Sequence, residues 1–506
     1  MNMRIPVLSV FLALSCSAVH GDENVVESIA ERLVLFVDDH DVLYRPGTKR
    51  VLNAVKRHAA NPVIPDDQPW EKTIGYTSVH RDPASGKYQL WYQAYSSSDV
   101  RMCYATSDDG IAWTRPKLGL FDYKGSKENN IVLTDLQYGA SVVHDPDDPD
   151  PERRYKTAYF KRGMAVAFSP DGIHWNVHPK KAFDRYSGGE RGQPPFVDEL
   201  PTYFPLTISD VIDVSRDPVR NVWMCYAKTW IDGPDGQKVW RRGVVRTDSV
   251  DFVNWSPPRL VVPPDELDEI ASLKRGAAKE GETAGGGTQG THVHGGPTFF
   301  YNGIYFSLLQ IIDSRHTGLM PIELAISRDG YEFERPFREN WFIPVDGGTS
   351  FDSGAIWSNA TPVFLEDEIR FYYGAYRGNW KKGLITKPTG VGLATIPRDR
   401  FAGIRAIEDV GQITLKPLTI EPGSSIEVNA AAREGSVRIE VLDEYGYRLK
   451  GFTKADAAPL ESDALRHVAT WKENKTSDLP GGVCSLRVHL TGDATVYALN
   501  IRPATN

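Results

Sequence analysis

Three carboxylate residues, each placed shortly before an aromatic-rich segment, are the first candidates for chemistry. They are Glu71, Asp210 and Asp352. Two facing carboxyl groups can cleave a glycosidic bond, because one protonates the leaving oxygen while the other activates water or attacks the anomeric carbon. We take Asp210 as base or nucleophile, Asp352 as stabilising or orienting group, and Glu71 as the third candidate. The alternative is that each is a loop carboxylate that accepts hydrogen bonds from backbone amides.

The segment 291–296, Thr-His-Val-His-Gly-Gly, places His292 and His294 two residues apart. Alternate residues of a strand point to the same face, so we predict that both imidazoles face one side. If that side is a binding site, one histidine can act as a general acid, or the pair can hold a metal ion. Calcium and zinc both stay open, and no other pattern requires a cofactor. Two histidines hydrogen-bonded between neighbouring sheets are the competing interpretation.

Aromatic and basic residues near the same segments are candidate sugar-binding positions. Aromatic faces stack on the C–H surfaces of pyranose rings, and an arginine can hold a carboxylate or sulfate group. The competing interpretation is an aromatic cluster that closes the fold. The six candidates are Trp70, Tyr76, Trp357, Tyr376, Arg377 and Trp380.

A repeated pattern, Ser-x-Asp-Gly-x-x-Trp, indicates which elements position these residues. It occurs at 107–113, at 169–175 and, with Phe as its last residue, at 327–333, and a looser copy spans 247–255. An aromatic-rich segment precedes each copy. One such unit can bury both faces only by stacking on neighbours around a ring. With a fifth aromatic segment at 369–373, the pattern predicts a five-bladed β-propeller over residues 31–404, whose innermost strands line an axial tunnel that holds the candidate residues.

After residue 404 the repeat stops and short alternating strands follow, which predicts a β-sandwich domain over residues 405–506. The fold class is therefore all-β, a five-bladed β-propeller followed by a β-sandwich domain. An insertion at 263–290 contains a short helical pattern and a run of three glycines. It is either a surface loop or a lid over the tunnel.

Residues 1–21 have the pattern of a secretory signal peptide, with Arg4 before an apolar run and small residues after it. We expect a secreted or periplasmic protein, and Cys16 leaves a lipid-anchored form open. No later stretch approaches the roughly 20 apolar residues of a transmembrane segment. The 506 residues include 58 basic and 66 acidic ones spread along the chain, which disfavours nucleic acid as a partner.

The chain resembles the five-bladed propeller glycoside hydrolases of the invertase and arabinanase type, families 32 and 43. The resemblance rests on Asn-Pro-Val-Ile at 61–64, on the repeats, and on a propeller followed by a sandwich. The Trp-Met-Asn-Asp-Pro-Asn, Arg-Asp-Pro and Glu-Cys motifs of family 32 do not occur at matching positions. At the two histidines the chain also resembles propeller enzymes that act on anhydro-sugars of red algae and use a histidine as acid.

The resemblance implies an exported glycosidase that acts on a plant or algal oligosaccharide or polysaccharide. We expect exo-action, because one axial funnel offers one binding site. Two alternatives stay open. The first is a noncatalytic carbohydrate-binding propeller, which would keep the aromatic positions and tolerate loss of Asp210 and Asp352. The second is a sialidase-like enzyme, suggested by the Asp-Gly turns but disfavoured by the count of five repeats. No sugar, linkage or stereochemical outcome follows from the residues alone.

Overall fold

The computed structural model describes residues 31–96, 99–161, 163–179, 206, 208–231, 241–274, 290–313, 317–379 and 384–504. The predicted signal peptide, Cys16 and Trp380 therefore lie outside the described residues. The described chain is built almost wholly of antiparallel strands, with one α-helix, Glu266–Lys274 (α1), and short 3-10 turns at Pro151–Arg153 and Thr476–Asp478. The predicted all-β class is confirmed.

The described chain begins with five short strands, which belong to different sheets. They are β1 (Arg32–Leu35), β2 (Val42–Tyr44), β3 (Thr48–Leu52), β4 (Lys56–Arg57) and β5 (Ile64–Pro65).

Five antiparallel sheets follow in chain order, each with its first strand innermost. The first has β6 (Thr73–Arg81), β7 (Tyr88–Ser96), β8 (Asp99–Ser107) and β9 (Ile131–Leu136). The second has β10 (Tyr138–His144), β11 (Tyr155–Phe160), β12 (Met164–Ser169) and β13 (Asn176–Val177). The third has β14 (Ile212–Asp217), β15 (Val222–Ile231), β16 (Arg241–Ser249) and β17 (Arg259–Val262). The fourth has β18 (Thr291–Gly295), β19 (Thr298–Tyr301), β20 (Ile304–Asp313) and β21 (Ile322–Ser327). The fifth has β22 (Ala355–Ser358), β23 (Val363–Phe364), β24 (Glu368–Asn379) and β25 (Leu384–Pro397).

The five sheets form a closed ring, the arrangement of a five-bladed β-propeller. The inner strand β6 contacts β10, β10 contacts β14, β14 contacts β19, β20 contacts β22, and β22 returns to β6. The outer edge of the fifth sheet is completed by β4 and β5 from the N-terminal segment, with Arg57 paired to Ala394 and Ile64 to Val391. This pairing between distant parts of the sequence closes the ring, and it leaves the fifth sheet without a free edge at these positions.

Two further sheets pack face to face beside the ring. Their remaining strands are β26 (Ala402–Ala406), β27 (Val410–Leu415), β28 (Leu418–Thr419), β29 (Ser425–Ala431), β30 (Gly435–Asp443), β31 (Asp463–Val468), β32 (Val483–Gly492) and β33 (Thr495–Arg502). One sheet contains β1, β3, β26, β29, β31 and β33, and the other contains β2, β27, β28, β30 and β32. A shared apolar core lies between the two sheets, as in a sandwich.

The boundary between the two units differs from the prediction of a propeller that starts at residue 31. Strands β1, β2 and β3 pair with C-terminal strands and belong to the sandwich. Because alternate residues face opposite sides, Val34 and Phe36 enter the sandwich core while Leu35 and Val37 enter the core of the ring. The N-terminal segment therefore joins the two cores, which a boundary drawn from repeats alone misses.

The Asp-Gly turns have the scaffold role predicted for them. In the first copy, Ser107 Oγ accepts from the Gly110 amide at 2.8 Å, and Asp109 Oδ1 accepts from Ile111 and Ala112 amides. Gly110 has a φ of +74°, a left-handed conformation that glycine adopts without strain. Trp113 packs edge-on against Tyr372 of the neighbouring sheet, with centroids 5.8 Å apart.

Polar side chains on or next to the inner strands join sheets across the axis. Asp213 on β14 is buried, and its Oδ1 accepts from Asn359 Nδ2 at 2.8 Å and from the Ala360 amide at 3.2 Å. Asn359 Oδ1 in turn accepts from the Thr77 amide on β6 at 2.9 Å. Burial raises the pKa of Asp213 from its usual value to about 7. This buried carboxyl group thus ties three sheets together at the middle of the ring.

The raised pKa of Asp213 predicts a stability that falls as pH rises. The folded protein holds the proton up to about pH 7, whereas the unfolded chain releases it near pH 4, so this group makes folding less favourable across that window. The change is about 4 kcal/mol at most. Asp213→Asn keeps the shape of the side chain and should remove this part of the pH dependence of stability. Urea unfolding of both proteins at about pH 5 and about pH 8 measures how the free energy of unfolding changes with pH. An equal pH dependence in the two proteins would contradict the assignment.

Candidate active site

A cavity of about 680 Å³ opens at the end of the ring where the inner strands start. We call it the axial cavity. Its described lining residues are Lys72, Thr73, Ile74, Gly75, Tyr76, Tyr95, Ser96, Val100, Leu136, Gln137, Tyr138, Asp210, His294, Trp357, Tyr376 and Lys387. These residues come from four of the five sheets and from the segments that lead into the sheets, including the one before the third. The inner strands lead away from the cavity to the buried layer of Ser141, Asp213 and Asn359, which lies on the axis.

Asp210 is the one predicted carboxylate that lines the axial cavity. Its side chain is one-third exposed, and it forms an ion pair with the ammonium group of Lys228, which is almost wholly buried. Ser209 Oγ donates to Asp210 Oδ1 at 2.9 Å. Burial opposes ionisation of Asp210, but the charge of Lys228, the nearby His294 and the hydrogen bonds from Lys228 and Ser209 together outweigh it and hold the pKa of the carboxyl group well below its usual value. Asp210 is thus an anion at any ordinary working pH.

The backbone around Asp210 is fixed on both sides. The Ser209 amide donates to Lys228 O at 2.8 Å, and the Lys228 amide donates to Val211 O at 2.9 Å. Gly139, at a φ of +44°, lies so close that an added Cβ would meet Asp210 O at 2.6 Å. Only glycine permits this approach, so Gly139 is a positioning residue for Asp210.

Of the two predicted histidines, one lines the axial cavity. His294 lines the axial cavity, whereas His292 is fully buried outside it and its Nδ1 accepts from the Arg242 amide at 3.2 Å. A register shift in the pairing between Val293 and Gly295 breaks the strict alternation of the strand. Burial, followed by the charges of Lys228 and Arg242, lowers the pKa of His294 well below its usual value. Its imidazole is neutral in the free site.

Aromatic rings form a large part of the cavity wall. Tyr76, Trp357 and Tyr376, three of the six predicted sugar-binding residues, lie together there, with the Trp357 ring 4.7 Å from Tyr76 and 5.7 Å from Tyr376. Two further tyrosines were not among the predicted sugar-binding residues. Tyr95 and Tyr138 stack with centroids 6.0 Å apart and an interplanar angle of 27°. The cavity therefore offers the aromatic faces that stack on sugar rings.

The other predicted carboxylates lie outside the axial cavity. Glu71 is fully buried beside the cavity wall, where it accepts from Tyr92 Oη at 2.5 Å and pairs with Arg115 at 3.2 Å. Burial raises its pKa, against the opposing charge of Arg115. Asp352 is equally buried, and its Oδ2 lies 2.6 Å from Arg57 Nε. Both carboxylates have hydrogen-bond and ion-pair partners within the scaffold. These contacts agree better with a structural role, the alternative given above, than with a catalytic role in the tunnel.

Two of the remaining predicted binding residues, Trp70 and Arg377, do not line the cavity. Trp70 packs edge-on against Tyr123 at 5.7 Å, and Arg377 is half-buried on β24 beyond Tyr376. Trp380 falls outside the described residues. In the predicted insertion, the described residues include α1, whose Asp268 forms an ion pair of 2.6 Å with Arg335 in the segment after the fourth sheet. The glycine run, and with it the choice between loop and lid, lies outside the described residues.

Lys228 is a functional candidate that sequence reasoning missed. It stands in the strand Val-Trp-Met-Cys-Tyr-Ala-Lys-Thr-Trp-Ile, where a single charged residue interrupts an apolar run. A charged side chain in such a run needs a buried partner. That signal was available in the sequence, and it points to the carboxylate on the preceding segment.

Within the described part of the chain, no three His, Cys, Asp or Glu side chains are arranged to hold a metal ion. No described helix is long and apolar enough to span a bilayer.

Comparisons with known proteins give structural likeness only. No protein-family model and no curated protein matches the chain. An N-acetylgalactosamine deacetylase from F. plautii has 14% identity and a TM-score of 0.41, and the match covers 70% of this chain and 96% of that one. A glycosyl hydrolase from Bacteroides ovatus has 16% identity and a TM-score of 0.42, over 69% and 95%. A family 43 arabinoxylan arabinofuranohydrolase from Bacillus subtilis has 14% identity and a TM-score of 0.38, over 88% and 98%. At these scores the likeness carries no argument about activity.

Lys228→Met tests the electrostatics of the site. Without the ammonium group, the burial of Asp210 is opposed less strongly and its pKa rises, so the acidic limb of any activity that needs the carboxylate moves to higher pH. We expect kcat/KM near neutral pH to fall by about tenfold or more. A pH profile of kcat/KM measures the shift, with exposed Lys87→Met as control. An unchanged acidic limb would show that Asp210 does not carry the activity.

Proposed function

We propose that the protein is a secreted glycoside hydrolase of the five-bladed propeller type, with a C-terminal sandwich, that acts on a plant or algal oligosaccharide or polysaccharide. The observation that carries the proposal is an ionised carboxylate, Asp210, set among aromatic rings in a pocket on the ring axis. Aromatic walls favour sugar rings, and an anion at the reacting carbon favours the positive charge that develops there during glycosidic cleavage.

In this proposal Asp210 is the base that activates water or the nucleophile that attacks the anomeric carbon. Its low pKa suits either role, because both need the ionised form over a wide pH range. The same low pKa makes Asp210 unsuited to protonate the leaving oxygen. Lys228 keeps the anion in place, and Gly139 allows the close packing that fixes its backbone.

His294 is our choice for the group that delivers a proton to the leaving oxygen. It is the histidine among the described residues that line the cavity together with Asp210. Burial and the neighbouring cations hold it neutral in the free site, so it must gain a proton after the substrate enters. Negative charge brought by the substrate would favour the protonated form, since it opposes the field of Lys228 and Arg242.

Exo-action is part of the same proposal. A long chain can pass through an open tunnel or along a groove, whereas a pocket with one mouth accepts a chain end. The buried layer of Asp213 and Asn359 on the axis supports the second geometry.

The noncatalytic sugar-binding alternative is favoured by a different observation, the absence of a second ionisable carboxylate among the described lining residues.

Product analysis tests the proposal and separates it from the alternative. The purified protein is incubated with plant and algal oligosaccharides, and the products are sized over time. A hydrolase of the proposed kind releases one small unit at a time from the start of the reaction. Release of mixed internal fragments would overturn exo-action, and saturable binding with no products would favour the binding protein.

A further inference from the structure

The wall of the axial cavity carries an excess of positive charge, although the chain is acidic. Among the described lining residues, the side chains charged at neutral pH are those of Lys72, Lys387 and Asp210. Asp210 is paired with a third lysine, Lys228, which is almost wholly buried. The whole chain has a formal net charge of −8. The charge of the cavity therefore has the sign opposite to that of the chain, which focuses an attractive field on anions.

The two lysines of the wall differ in how their charge is balanced. Lys387 Nζ lies 3.0 Å from Asp66 Oδ2, so part of its charge is neutralised. Lys72 is exposed, and in the described part of the chain it makes no ion pair. An exposed ammonium group beside a pocket can gain a strong, charge-assisted hydrogen bond when an anionic group arrives.

Further cations lie behind the wall near His294. Lys228 Nζ and the Arg242 guanidinium lie 5.6 Å and 4.4 Å from the centroid of the Trp230 ring. Burial and these two charges lower the pKa of His294, and the charge of Asp210 does not reverse the effect. The positive field therefore extends from the exposed lysine to the inner part of the cavity.

An exposed aromatic face lies on the same wall. Tyr138 is 44% exposed, and its ring stacks on Tyr95, whose hydroxyl donates to Gln93 Oε1 at 2.7 Å. The hydrogen bond fixes the Tyr95 ring, which in turn supports Tyr138. A sugar ring can stack on such a platform while a charged substituent reaches an ammonium group on the cavity wall.

We propose that the ligand of the axial cavity is an anionic oligosaccharide, whose units carry carboxylate or sulfate groups. Lys72 holds the charged group, and Tyr138 stacks on a sugar ring. The cleavage of this ligand rests on the proposed function, but its binding does not. The anion also opposes the field of Lys228 and Arg242 at His294, the condition under which that imidazole gains a proton.

Calorimetric titration of the whole protein tests the ligand class. Three sets of oligosaccharides of matched length are used: neutral, uronic-acid-containing and sulfated. We expect at least one anionic set to bind about tenfold more tightly than the neutral set, with a preference that shrinks as salt is added. Preference for the uronic or the sulfated set identifies the group. Equal or tighter binding of the neutral set overturns the proposal.

The Lys72→Met variant, with Lys117→Met as the matched control, tests the residue. Lys117 lies in the connection between β8 and β9 of the first sheet. It pairs with Glu128 on the surface, away from the cavity. Lys72→Met should reduce the anionic preference by about tenfold while leaving neutral ligands unaffected; Lys117→Met should change neither. If Lys72→Met still prefers anionic over neutral oligosaccharides, another residue recognises the charge, and the role of Lys72 is overturned.

Binding and cleavage are scored separately so that the two proposals fail in different ways. Anionic ligands that bind with the expected preference but yield no products would sustain this inference and contradict the hydrolase. Neutral oligosaccharides that bind best and are cleaved would sustain the hydrolase and overturn this inference.

Discussion

Asp210→Asn should lower kcat by about 10²–10⁴-fold while the protein still binds its sugar. The amide keeps the size of the carboxylate and can still accept from Ser209 Oγ, but it cannot act as base or nucleophile. It also removes the partner of Lys228, whose charge is then unbalanced in the wall. We therefore expect a modest loss of stability and tighter binding of anionic ligands. Single-turnover product release and calorimetric binding measure the two effects.

A control for this variant is Asp109→Asn in the first Asp-Gly turn. Asp109 accepts hydrogen bonds from two backbone amides on the outer side of the ring, and it does not line the cavity. Its substitution should therefore affect stability and leave kcat unchanged. Equal kcat in Asp210→Asn and the native protein would remove Asp210 from the chemistry, even if the protein proves to be a hydrolase.

Arg57→Met should destabilise the protein by about 3 kcal/mol while leaving kcat of the folded molecules unchanged. Arg57 lies on β4, which closes the ring, and its Nε donates to the buried carboxylate of Asp352 at 2.6 Å. Without the guanidinium, Asp352 keeps only neutral donors, Tyr373 Oη at 2.9 Å and Ser350 Oγ at 2.7 Å. A buried carboxylate that loses its cation is costly, and the cost falls on the closure of the ring.

Equilibrium unfolding in urea measures the loss, with Arg32→Met as the matched control. Arg32 pairs with Asp41 at the surface, and exposed pairs of this kind contribute less than about 1 kcal/mol. Asp352→Asn should cost less than Arg57→Met, since it removes the buried charge itself. If Asp352→Asn instead abolished kcat and kept stability, the catalytic role first predicted for Asp352 would be restored.

The fold was predictable to the level of sheets because its signals are local. Each Ser-x-Asp-Gly turn fixes its own hydrogen bonds within a few residues, as Ser107 and Asp109 do, and the period between turns gives the number of sheets. The placement of β1–β3 was not predictable, because it depends on pairing between residues such as Leu33 and Asn500, at opposite ends of the chain. Pairing at that separation leaves no repeat in the sequence.

The candidate site was predictable in part, for a reason of geometry. Glu71, Asp210 and Asp352 all lie two or three residues before an inner strand, so sequence spacing treats them alike. Their surroundings differ: Glu71 and Asp352 meet half-buried arginines and buried tyrosines, and of the three only Asp210 lines the cavity. The direction of a side chain before a strand depends on the backbone of that turn, which neither spacing nor residue type determines. The register shift between Val293 and Gly295 is likewise not visible in the residue types.

The most direct test of the central claim is the reaction in water enriched in heavy oxygen, followed by mass spectrometry of the released sugar. Hydrolysis at the anomeric carbon, with Asp210 activating water or forming an intermediate that water resolves, places one heavy oxygen in each released reducing end. We predict labelled product from the native protein and little or no product from Asp210→Asn. Release of an unlabelled sugar, or binding without release, would contradict the account.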